Sequence, residues 1–598
     1  KRNRMTQETR SCQSCKQNFV IEPEDFAFYE KVQVPPPTFC PDCRLQRRMT
    51  WRNERTLYHA KCAATGKDMI SMFDPENPRV VYDRDYWWSD NWDQFVAGRD
   101  YDFSKPFFVQ FRELLEKAPL PNLANSNVIN SDYGNHNADL KNGYLVFASF
   151  GNENISYASG AVDCKDSLDM YTAEKTEQSY EITFSVGLNK CSFCYDVDNS
   201  LDSSFLRACN NLNNCLGCVS LKNKSYHIFN QPYSKEDFRK EVEKIDFGSY
   251  KNLEAFKQKY KEFIKDYPRR YATLVKSVNT TGDMIMNAKN CKQCFDIYDT
   301  IEDCKYAIHA TKMRDTYDSY GAGLTELLYE GVDTGIDSSD CQFVIYAHKC
   351  RNVEYVYACQ GTDHLFGCIG LRSKKYCILN KQYTKEEYET LVPKIKKRMD
   401  EMPYIDKKGR VYKYGEFFPA ELSPFAYNET IAQEYFPLNK ISASEKGFDW
   451  KELREKNYHP TLKASELPDH IKDVTENITK EVISCAHADP STGGCEEQCT
   501  GAYKITAQEL QFYKKFNYPL PRLCSNCRHY QRLKQRNPFH LWHRKCQCAG
   551  THSENGKYQN VIEHPHGNTH CESEFETPYS PDRLETIYCG QCYQTETQ

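Results

Sequence analysis

The sequence predicts a mainly β protein with some α. Its centre reads as a duplicated β-solenoid-like (parallel β-helix-like) region, flanked at both ends by cysteine-rich metal-binding modules. Three observations predict this. The 29 cysteines of the 598-residue chain fall in three blocks, at 12–62, 164–377 and 485–592. The outer blocks match each other, and the middle block matches itself. Short apolar stretches recur through the middle, separated by Asn, Asp, Gly and Ser, as turns require.

The ends come first. Cys15, Cys40, Cys43, Arg44, Arg48, Arg52, Asn53, Leu57, His59, Lys61 and Cys62 recur 484 positions later. Their counterparts are Cys499, Cys524, Cys527, Arg528, Arg532, Arg536, Asn537, Leu541, His543, Lys545 and Cys546. The match resumes at an offset of 506, so 22 extra residues follow Cys546, among them His564 and His566. Within the first part of each module two thiol pairs face each other. Cys12, Cys15, Cys40 and Cys43 offer a tetrahedral four-thiolate zinc site, as do Cys495, Cys499, Cys524 and Cys527. The second part of the C-terminal module offers Cys571, Cys589 and Cys592, with Cys546 or Cys548 as fourth ligand and His566 or His570 as substitutes. The aligned N-terminal positions are Cys62, Thr65, Asp83 and Tyr86. That copy is read as a degenerate ribbon, held by Tyr86, Trp87, Trp88 and Trp92 in place of metal. The expectation is three Zn2+ per chain.

Residues 12–62 resemble the zinc-ribbon (treble-clef-like) family. The resemblance rests on Cys12, Cys15, Phe19, Phe28, Tyr29, Lys31, Pro37, Cys40, Cys43 and Arg44. The C-terminal copy carries it on Cys499, Tyr503, Phe512, Tyr513, Lys515, Pro519, Pro521, Cys524, Cys527 and Arg528. The whole chain resembles large multi-zinc-ribbon proteins of small-genome bacteria. The resemblance implies a fold for the ends and no particular activity.

Arginines follow each first ribbon at a spacing of four: Arg44, Arg48 and Arg52, then Arg528, Arg532 and Arg536. Such spacing lines one helical face. With Lys545 these stripes are the candidate nucleic-acid contacts, because the guanidinium fork suits phosphate. The competing reading is a solvated helix face, or arginines paired with acids.

A helix is predicted over 104–117 from Phe108, Phe111 and Leu115. The centre then repeats at an offset of 150: Cys191, Cys209, Gly217, Cys218 and Tyr226 become Cys341, Cys359, Gly367, Cys368 and Tyr376. Asp169, Tyr171, Tyr180 and Glu181 match Asp318, Tyr320, Tyr329 and Glu330 at 149. Coils of roughly 20 to 27 residues are expected by the solenoid rule, with a β-sandwich as the competing topology. The central CxxC pairs, such as Cys191 and Cys194, are read as core filler, since one member of each is lost in the other half. Ser234 and Thr384 are expected helix N-caps. The boundaries are 1–100, N-terminal module; 101–140, helical connector; 141–268 and 269–402, solenoid halves with exit helices; 403–484, aromatic and proline-rich packed linker; 485–598, C-terminal double module.

Composition bounds function. A net charge of −5 with 39% hydrophobic and 13% aromatic residues excludes a disordered chain. No apolar run is long enough for a bilayer, and no signal peptide opens the sequence. Thiol-rich CxxC pairs point to a reducing, cytoplasmic setting. No phosphate loop, GxGxxG, HExxH or GxSxG is present. His59 and His543 near Asn53 and Asn537 raise a nuclease reading, but the N-terminal copy lacks a second histidine. The sequence therefore reads as a non-enzymatic zinc scaffold that binds RNA, DNA or a ribonucleoprotein. The alternatives are a protein-binding or assembly module, and a nuclease or carbohydrate-active enzyme on the solenoid.

Overall fold

In the middle of the chain one residue in three turns left-handed. Asp163, Asp166, Asp169, Thr172, Lys175, Gln178, Glu181 and Phe184 have φ between 48° and 57°. Each makes a corner, and the residue after it points inward. Cys164, Ser167, Met170, Ala173, Thr176, Ser179 and Ile182 are all at most 2% exposed. Four corners close one coil, so parallel neighbours pair twelve residues apart: Ser156 with Leu168, Leu168 with Tyr180, Tyr180 with Ser192, and Ser192 with Ser204. The fold is the expected solenoid, but its coil is about half the expected length. In unit 2 each full coil contributes one seven-residue strand, such as Ser156–Val162 and Leu168–Glu174.

A computed structural model describes residues 6–452, 459–488, 495 and 497–597. It divides into two units. Unit 1 comprises Lys1–Ala124, Ala272–Glu452 and Phe539–Leu541; unit 2 comprises Asn125–Tyr271, Leu453–Pro538 and Trp542–Gln598. Each unit contains one end module and one solenoid half. The N-terminal module belongs with the second half, and the C-terminal module with the first.

In unit 2 a 10-stranded sheet builds the solenoid and ends at Gln231–Pro232. In unit 1 a 12-stranded sheet ends at Lys381–Gln382. Both last strands pair antiparallel and close the stack. Unit 1 is less regular: Leu274 pairs with Ile285 and Phe295 with Ile308, and Gly323 pairs with Gly335 but Thr325 with Ser338. Gly335 is required there, since a Cβ would lie 1.7 Å from the Gly323 carbonyl oxygen.

The interiors are narrow and lined by small residues. In unit 2 the core includes Cys164, Cys191, Cys194, Cys209, Cys215 and Cys218. In unit 1 it includes Cys291, Cys294, Cys304, Cys341, Cys350, Cys359, Cys368 and Cys377. A thiol fits because it is small and also donates. Cys164 Sγ reaches the Ala173 carbonyl at 3.4 Å, and Cys350 Sγ reaches that of Cys359 at 3.4 Å. The central CxxC pairs are thus successive inward positions of one coil.

Ser234 caps the Lys235–Glu243 helix by accepting from the Asp237 amide. The first exit helix is broken in two. It stops at Glu243, and Ser249 caps a second one, Tyr250–Phe263. Thr384 opens the Lys385–Glu401 helix with a full capping box. The aromatic stretch after it packs as expected: Phe417, Phe418, Leu422 and Phe425 join Phe108, Phe111 and Tyr355 in the core of unit 1. Among the described residues no helix is long and apolar enough to cross a membrane.

Candidate metal centres and the arginine helices

One local design recurs three times. A thiol ends a strand, a second lies in the following turn, a third caps a helix, and the fourth sits in that helix's first turn. In unit 1 these are Cys12, Cys15, Cys40 and Cys43, around the Glu8–Ser11 and Asn18–Ile21 hairpin and the Pro41–Met49 helix. In unit 2 they are Cys485, Cys499, Cys524 and Cys527, and then Cys546, Cys571, Cys589 and Cys592. The ligand atoms of each group lie within 4.8 Å of one another. In each, the amide of the helix-capping cysteine donates to the first thiol: Cys40 to Cys12 at 3.3 Å, Cys524 to Cys485 at 3.2 Å, and Cys589 to Cys546 at 3.2 Å.

The hydrogen bonds within each group lower one thiol strongly and push partners such as Cys40, Cys527 and Cys592 well above the ordinary range. Hydrogen bonds from Cys40, Cys485 and Cys546 hold Cys12, Cys524 and Cys589, respectively, well below the ordinary thiol range. The helix N-terminus adds positive potential at the capping cysteines. All 29 cysteines are free of disulfides. Four clustered thiols of this kind suit a tetrahedral dication, so each group is able to hold a metal ion.

One sequence assignment changes, and one open choice narrows. Cys485, not Cys495, completes the group with Cys499, Cys524 and Cys527. The Ile483–Ser484 strand pairs with Ala502–Tyr503, and the Cys485 amide bonds to the Gly501 carbonyl at 2.9 Å. That ladder sets Cys485 beside Cys499 across a long turn. Cys495 lies instead with His487 and Cys527, 3.6 Å from the Cys527 sulfur. In the last group the fourth ligand is Cys546, while Cys548 belongs to a separate cluster with His564, His566 and Cys592. His570 belongs to none of the clusters found among the described residues.

The second half of the N-terminal module keeps the backbone without the ligands. The Asp83 amide donates to Cys62 Sγ at 3.2 Å, as the capping cysteines do elsewhere. Asp83 caps the Arg84–Trp88 helix through the Asp85 amide. Tyr82 packs edge-on against Tyr86 and Trp92. Trp87 is buried and donates to the Pro119 carbonyl at 3.0 Å, whereas Trp88 is 47% exposed.

The arginine stripes lie on the buried faces of their helices. In unit 1, Arg44 meets Asp318 at 2.9 Å, and Arg48 meets Asp318 and Glu330 at 3.0 Å each. In unit 2, Arg528 meets Asp169 at 3.1 Å, and Arg532 meets Asp169 at 2.9 Å and Glu181 at 3.1 Å. Arg44 also lies over the Tyr306 ring and Arg528 over the Tyr157 ring. The clamp is thus duplicated residue for residue. Each acid pair occupies one corner on adjacent coils, about 4.8 Å apart. Each arginine pair is one helical turn apart, about 6 Å, so helix and coil match. The expected solvent-facing stripe is instead a set of internal ion pairs. Arg52 lies beyond its helix, against Glu54 at 2.6 Å and Asp333 at 3.5 Å. Arg536 also lies beyond its helix and donates to the Asn537 carbonyl at 2.7 Å. Lys545 is exposed and pairs with Glu574 at 3.0 Å. Asn53 holds a turn through the Thr56 and Met72 carbonyls, both at 2.8 Å.

No protein-family model matches the chain, and none of the curated proteins does. Among solved structures, it is similar to "putative acetyltransferase from Desulfovibrio desulfuricans G20", at 10% identity over 48% of this chain and 86% of that chain, with a TM-score of 0.11. At that TM-score the likeness carries no argument.

Proposed function

We propose that this chain is a non-enzymatic scaffold with a structural zinc ion in each of its three four-thiolate groups, and that it serves as a protein-binding or assembly module. The zinc ions fix the end modules, and the arginine clamps join each module to its solenoid half. One observation favours a protein partner over the nucleic-acid reading: the arginines best suited to phosphate are spent on carboxylates. Arg44, Arg48, Arg528 and Arg532 are each at most 4% exposed. Stripping them from their acids to meet phosphate would leave buried charges unpaired, at about 3 to 5 kcal/mol per broken pair.

A shallow, open groove of about 560 Å³ on the unit 1 solenoid is a candidate docking surface. Glu302, Glu326 and Asp337 line it together with Lys312, Arg314 and Arg351. Mixed charge of this kind suits an extended polypeptide better than a polyanion. RNA and duplex DNA titrated at two salt concentrations test the choice. Weak binding with a shallow salt slope is expected, while a steep slope that R528A/R532A flattens would return the nucleic-acid reading.

A further inference from the structure

The cluster around Cys592 asks for more metal than one four-thiolate site. Cys592 belongs to two groups at once: Cys546, Cys571, Cys589 and Cys592, and Cys548, His564, His566 and Cys592. Within each, the ligand atoms lie within 4.8 Å of one another. We propose that the C-terminal module holds a binuclear zinc centre in which the Cys592 thiolate bridges two ions, one with four sulfur ligands and one with two sulfur and two imidazole ligands.

The imidazoles are oriented for this. His564 Nε2 faces Glu596 Oε1 at 2.9 Å, inside the protein. Glu596 also accepts from the Tyr558 hydroxyl and the Val561 amide, both at 3.0 Å. His564 Nε2 is thus the ring nitrogen turned to the carboxylate. Its Nδ1 faces Cys548 Sγ, 3.4 Å away. His566 uses the opposite nitrogen. Its Nδ1 donates to the Thr569 carbonyl at 2.8 Å, leaving Nε2 aimed at Cys592 Sγ at 3.3 Å. Carboxylate and carbonyl partners on the far nitrogen are how metal-bound histidines are held. Two ring nitrogens and two sulfurs thus converge on one point, a donor set that one cation can share.

Charge and backbone support the same centre. Five thiolates around two dications leave one net negative charge, against two for a lone four-thiolate site. The Asn560 amide donates to Cys548 Sγ at 3.3 Å, as a second partner for a thiolate. The Cys571 amide donates to the Cys548 carbonyl at 3.0 Å, which ties a ligand of one ion to a ligand of the other. Both histidines come from the segment that the N-terminal copy lacks, and Cys548 aligns there with Ala64.

The proposal rests on zinc in the third four-thiolate group and extends it. Metal content of the full chain and of H564A/H566A is the first measurement. The variant is expected to lose about one zinc per chain, and C592S about two. The second measurement is cadmium-113 NMR of the unaltered chain, which needs no folding of a variant. Two resonances split by each other through a shared sulfur are expected. An unchanged zinc content in H564A/H566A, or cadmium signals without mutual splitting, would overturn the bridge. Either result, with zinc retained at Cys12, Cys15, Cys40 and Cys43, would leave the scaffold reading standing.

Discussion

The second halves of the two end modules share a backbone and differ in what holds it. At the C-terminus, the Trp542–Lys545 and Glu574–Thr577 hairpin and the Gly590–Glu596 helix converge on thiols and imidazoles. At the N-terminus, the Tyr58–Lys61 and Asp68–Ser71 hairpin and the Arg84–Trp88 helix converge on aromatic rings. The amide-to-sulfur bond at the helix cap is 3.2 Å in both. The lesson is that metal does not define this fold. On the proposed reading, metal supplies cohesion where a short polar segment has few apolar side chains, and Trp87 with its neighbours supplies it where they exist.

Removing metal is the strongest way to break the comparison. A strong chelator is expected to cost the C-terminal module about 10 kcal/mol or more of folding free energy. Hydrogen exchange should then report loss of protection across 542–597 and little change across 58–88. Equal loss in both would mean that the N-terminal half also depends on metal. Next in size are the clamps, which should behave alike in both units. Asp169→Ala and Asp318→Ala should each cost about 3 to 5 kcal/mol in urea unfolding, because each removes a buried carboxylate shared by two buried guanidinium groups. A large effect in one unit only would break their equivalence. Trp87→Phe should cost about 2 kcal/mol through lost volume and a lost hydrogen bond, with zinc content unchanged. Smallest is Cys209→Ala, at about 1 kcal/mol, again with no loss of zinc. Burial pushes the Cys209 thiol up to about 12, so it stays protonated, unlike Cys524 or Cys589.

Much of this was legible in the residues. The sequence offsets pair the two ends and the two central halves, and the CxxC pairs name most of the thiols that cluster. Cys485 escaped because it stands fourteen positions before Cys499. A turn of that length has no local signature, and only the strand pairing closes it. The coil length was misread because the inward positions alternate among Cys, Ser, Ala, Thr and Leu. A hydrophobicity pattern skips the serines and threonines that also face inward. The clamp lay in plain view as two unrelated repeats, arginines four apart and acids twelve apart. Local spacing cannot reveal that one set faces the other across some 280 to 360 positions of chain.

The corner at every third residue also has an evolutionary consequence. A solenoid built this way can change length only in quanta. Losing or gaining a whole coil leaves each remaining side chain facing as before, whereas a change of one residue would turn the inward series out to solvent. Unit 1 tolerates single-residue departures at Leu274/Ile285, Phe295/Ile308 and Thr325/Ser338, the last beside Gly335. Insertions and deletions among relatives should therefore favour multiples of twelve, with departures confined to unit 1.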